Sequence, residues 1–142
     1  NMKPDDFLVK SIEAQEETYD AAFNEIASGE KRTHWMWFVF PQINGLGQSE
    51  VSKYYAIRNL DNATAFLEHP ILGSRLIEIS RVLLSLHDLS AEEIFGFPDN
   101  MKLKSSMTLF AQVEDANSVF QYVLNKYFDG RFDEKTLHII NG

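Results

Sequence analysis

The 142-residue chain contains no cysteine. That excludes disulfides, thiolate nucleophiles and cysteine-based zinc sites together. It suits a reducing compartment, and a cytoplasmic location is the expectation. No apolar run approaches the ~20 residues needed to span a membrane. Asp5, Asp6, Glu13, Glu16 and Glu17 interrupt any signal-peptide pattern near the start. Asn1, ahead of Met2, reads as a tag remnant without function. Basic residues are scarce: 13 Lys and Arg stand against 21 Asp and Glu, a net charge of -8. Such a chain repels phosphate backbones in bulk, so extended nucleic acid is not an expected partner. The few cations cluster at Lys31-Arg32 and at Lys102 and Lys104, the natural spots for a small anion. Internal repeats and low-complexity tracts are also missing.

Apolar residues are plentiful. Hydrophobic content of 44% and aromatic content of 13% exclude disorder. The length fits one domain spanning 1–142, large enough to fold without staples. Helical periodicity dominates. A first helix is predicted over 5–28, capped by Asp5 and stopped by Gly29, with Leu8, Ile12, Tyr19, Ala22 and Ile26 on one face. Gln15 completes that apolar stripe. Thr33 is placed to cap a short helix over 34–40, which Pro41 ends. Ser49 opens a stretch through Ala56, and Asp61 is read as the cap of a helix over 62–68, broken at His69-Pro70. Residues 71–86 are strongly amphipathic, with Leu72, Leu76, Ile79 and Leu83 inward. Ser90 and Glu93 form a capping box. Pro98 suits the first turn of a helix reaching about Val113. Asp115 or Asn117 starts another through Tyr127, and Asp133 caps a last one. Only Phe38-Val39-Phe40 resembles a strand. The expectation is an all-α fold of about seven or eight unequal helices.

Residues 32–42 hold both tryptophans among bulky apolar neighbours, yet Arg32, His34 and Gln42 are interleaved with them. Buried polar groups need partners, so the segment is either a polar network in a core or the wall of a pocket. His34 is the candidate general acid or base, because imidazole titrates near physiological pH. Arg32 and Lys104 supply charge for an anion. Gln15, Gln42 and Ser105 supply hydrogen bonds, and Trp35 and Tyr55 supply apolar walls. Trp35 and Trp37 lie two apart in a predicted helix, so at most one faces any pocket. The four histidines have no metal-binding spacing, and no nucleophile elbow is present. No metal or cofactor is therefore expected. Two readings follow: a pocket for a small phosphate-bearing or nucleotide-like anion, or a protein-interaction module without chemistry.

The run His34-Trp35-Met36-Trp37-Phe38-Val39-Phe40-Pro41-Gln42, followed by Gly45-Leu46-Gly47 and Tyr55-Ala56-Ile57, resembles a bacterial family, domain of unknown function 1810. His69-Pro70-Ile71-Leu72-Gly73, the segment from Lys102 to Phe110, and Tyr127-Phe128-Asp129-Gly130 extend the resemblance over nearly the whole chain. It implies a helical cytoplasmic protein and no established activity. Lys104 stands where the family pattern also leads one to expect arginine, and lysine lacks the bidentate grip of a guanidinium. Some members carry the label calpastatin. An inhibitor of that kind works as a disordered polar chain, which this aromatic-rich composition contradicts.

Overall fold

A computed structural model of the chain describes residues 6–142. Nine helices are found among them: α1 Asp6–Ala27, α2 Met36–Val39, α3 Glu50–Tyr55, α4 Leu60–Glu68, α5 Leu72–Ser85, α6 Ala91–Phe95, α7 Asp99–Ala111, α8 Val119–Phe128 and α9 Glu134–Asn141. There is no strand among the described residues. Phe38 and Val39 are helical, and the extended pairing is a single parallel bridge, Ile43 to Ile57. The all-α expectation holds, with short α6 bringing the number of helices among the described residues to nine. The Asp5 cap lies outside the described residues.

Local chemistry explains four of the helix starts. The Ser90–Glu93 capping box forms in full, and Ser49 and Asp133 accept from the amides of Ser52 and Thr136. Helix α4 starts earlier than expected: Asn59 is its cap, and Asp61 sits in the first turn. Helix α2 is shorter than expected. Thr33 does not cap it, because its hydroxyl donates instead to Glu25 Oε2 at 2.6 Å.

The core is continuous. Helix α5 packs against α1, α4 and α8, while α7 lies on α8 and α9. Phe110 links Phe66 and Phe120, with ring centroids 5.5 and 5.8 Å away. A second aromatic cluster joins Trp35, Phe40 and Phe95. The corner from α4 to α5 carries His69-Pro70-Ile71-Leu72-Gly73. There His69 Nδ1 accepts from the amides of Ile71 and Leu72, satisfying two donors at the start of α5. Gly73 passes so close to Leu67 that an added Cβ would stand 1.9 Å from its carbonyl oxygen. This motif is a packing device.

Candidate functional site

The polar residues of the apolar stretches serve two internal networks. In one, Glu25 is 8% exposed, and its carboxylate accepts from the amides of Arg32 and Thr33, the Thr33 hydroxyl and the Trp35 indole. Burial by itself pushes this carboxyl up, but the hydrogen bonds from Thr33, Arg32 and Trp35 together hold it down at about 2. In the other, the Gln15 amide donates to the Phe38 carbonyl at 2.8 Å and its oxygen accepts from Arg75 at 3.4 Å. Tyr19 extends this network by donating to Glu78 at 2.6 Å. Together they fasten the 30–40 segment and α5 to α1.

The residues singled out from the sequence therefore do not converge on one pocket. Trp35 is 1% exposed and lies in the core rather than on a cleft wall. Gln15 is buried, with both ends of its carboxamide bonded to protein groups. His34 is exposed and lines neither of the clefts described below. Arg32 is exposed and leans toward Glu30 at 3.4 Å. Ser105 is 5% exposed and returns its hydroxyl to the Met101 carbonyl. Tyr55 packs at a tilt against Phe38, with ring centroids 5.1 Å apart. Lys104 is half-buried on α7, away from both clefts. The cation clusters are largely spent, because Asp99 pairs with Lys31 at 3.0 Å and with Lys102 at 3.2 Å. Of the site residues expected from the sequence, only Gln42 borders a cleft.

Two adjoining clefts lie beside the loop 44–56, which carries α3. The loop is closed at its base by hydrogen bonds from Asn44 to the Ile57 carbonyl and from Ile57 to the Gln42 carbonyl, at 2.7 and 2.8 Å. Ile43 and Ile57, 2% and 1% exposed, anchor that base in the core. The first cleft is a crevice with about 10 Å³ of free volume, lined by Trp37, Gln42, Gly47, Ser52 and Lys102 among others. Lys102 Nζ stands 5.5 Å from the Trp37 ring centroid. The second has about 240 Å³ and is walled by Phe7, Lys10, Lys53, Tyr54 and Arg58. Asn44 and Ala56, at the two ends of the loop, border both. Lys10 Nζ lies 4.3 Å from the Tyr54 ring centroid.

Sequence reading missed Lys10, Lys53 and Arg58 because they come from α1, α3 and the segment after α3. The available signal was local: Lys53 and Arg58 flank the Tyr54-Tyr55 pair. Chemically, this arrangement can hold an anion. It pairs no nucleophile with a base, and no group of acidic or histidine side chains among the described residues could hold a metal.

An all-helical domain with a cationic cleft beside a pinned loop is the class these features define. The chain belongs to the family described as protein of unknown function (DUF1810), whose sequence profile matches residues 6–140. It is similar to the conserved hypothetical protein Rv1873 from Mycobacterium tuberculosis, known from a crystal structure at 1.38 Å. The two are 44% identical and superpose with a TM-score of 0.95, over 99% of each chain. No curated protein matches the chain. No helix among the described residues is long and apolar enough to cross a membrane.

Proposed function

We propose that the protein binds a small anionic ligand in the cleft walled by Lys10, Lys53 and Arg58. One observation carries this reading. In a chain of net charge -8, three of only 13 cations, from separate parts of the sequence, border one cleft of about 240 Å³. Cations converging on a concave space from separate parts of the chain attract an anion. The volume suits a phosphate with a modest substituent. Gln42, at the end of the 34–42 segment, lines the adjoining crevice, and His34 and Trp35 take no part in either cleft. Phosphate added to the purified protein is expected to raise its melting temperature by mass action. Lys53→Ala, at an exposed position, is expected to remove most of that shift while leaving the ligand-free melting temperature unchanged. An undiminished shift in Lys53→Ala, or none in the wild type, would refute the assignment.

A second reading, an interaction module without chemistry, has its own support. Phe97 is 75% exposed and Met101, one turn on, is 42% exposed. Failure of every anion to bind would turn attention to that surface.

A further inference from the structure

We infer that the loop 44–56 with α3 is a lid, and that the ligand it admits is a phosphate ester of a planar, hydrogen-bonding group, of the nucleoside monophosphate kind. The inference rests on the anion reading above and names the ligand of that same site. Three observations carry it. The basic cleft and the Trp37 crevice share Asn44 and Ala56 as walls, so they are two compartments separated by the loop. The crevice offers what a flat polar ring needs, namely a half-buried indole and the Gln42 carboxamide, which bonds to no protein group among the described residues. Aromatic rings stack on bases, and side-chain amides read their edges. Finally, α3 buries none of its residues, although the loop's base is pinned at Ile43 and Ile57.

Size makes movement necessary. A crevice of about 10 Å³ admits one water and no ring. A helix without buried side chains is drawn from the low-stability end of a fold and opens readily. Helix α3 rests on α1 and α2, and its ring contacts there are Tyr55 with Phe38 at 5.1 Å and Lys10 over Tyr54 at 4.3 Å. An anion in the basic cleft competes for the Lys10 ammonium. A charge-assisted hydrogen bond to phosphate outweighs a solvent-exposed cation–π contact. Binding of the phosphate thus frees Tyr54, loosens α3 and opens the crevice to the rest of the same ligand.

The experiment is a titration of the whole chain with inorganic phosphate, the four nucleosides and the four nucleoside 5′-monophosphates, by calorimetry and by intrinsic fluorescence. Trp35 is buried, so Trp37 is the tryptophan that a ligand can reach. At least one nucleoside monophosphate is expected to bind about tenfold tighter than phosphate, the gain of one stacking contact. It should also change the fluorescence. In Trp37→Phe the fluorescence change should vanish while phosphate affinity is retained. Gln42→Ala, which leaves both tryptophans in place, should reduce the gain and preserve phosphate binding. Phosphate and all four monophosphates binding equally, with unaltered fluorescence, would overturn the lid and leave the anion cleft standing. Binding of none of them would overturn both.

Discussion

Glu25 draws the backbone of Arg32 and Thr33 and the Trp35 indole onto one carboxylate, and so fixes the segment that the sequence made most conspicuous. The polar residues there signalled a network, and a network is what most of them form. Gln15 was equally legible, as an amide on an apolar stripe, and it is buried and bonded to Phe38. Which carboxylate organised the segment was not legible. Glu25 reads as one of many helix acids, and its partners lie seven to ten residues downstream across a turn. Its folded-state carboxyl is depressed from 4.5 to about 2. A depressed acid contributes stability that is complete above its unfolded value and is lost as pH falls through the folded value. The window is therefore between about pH 4.5 and pH 2, with on the order of 3 kcal/mol at stake. Glu25→Gln is expected to cost about 2 kcal/mol at neutral pH, since it presents an amide to donors. It should also flatten the acid limb of the stability curve. Urea unfolding of both proteins across that pH range checks this, and parallel curves would remove Glu25 from the account.

Helices were legible where their ends are made by neighbouring residues. The Ser90–Glu93 box, the Ser49 cap and the Asp133 cap each involve side chains within a single turn. Helix α2 was misjudged because a distant carboxylate took the hydroxyl meant for its cap. Close approach between elements is the other thing a linear pattern conceals. Gly47 lies where a Cβ would come within 2.5 Å of the Ser52 Cβ, so the loop before α3 folds tightly on the helix. At Gly73 the obstacle is backbone, the Leu67 carbonyl at 1.9 Å, and it cannot rotate away as a side chain can. The two helices would have to separate at their corner. Gly73→Ala is thus expected to destabilise the protein by about 2–4 kcal/mol, despite the better helix propensity of alanine. Denaturant unfolding measures this directly. A change under about 1 kcal/mol would mean that the corner yields without cost.

At the scale of the molecule, the fold class was legible from periodicity, but the cationic cleft was not. Clustering along the sequence pointed to Lys31-Arg32 and to Lys102 and Lys104, whereas Asp99 occupies two of those cations and the tertiary fold gathers three others. Net charge misled in the same way, since it describes the whole surface and not one concavity. The two scales compete in a measurable manner. At low salt an approaching anion meets the repulsion of the net charge of -8 as well as the attraction of Lys10, Lys53 and Arg58. The repulsion arises from charges spread over the entire molecule, mostly farther away than the Debye length of about 8 Å at physiological ionic strength. The attraction acts within hydrogen-bond reach. Added sodium chloride therefore screens the repulsion first. Phosphate affinity is expected to stay level or rise between roughly 10 and 150 mM salt, where an anion site on a basic protein weakens. Calorimetric titrations at several salt concentrations give the slope. A steep fall would show the local cations acting unopposed, and the acidic surface would then have no bearing on what reaches the cleft.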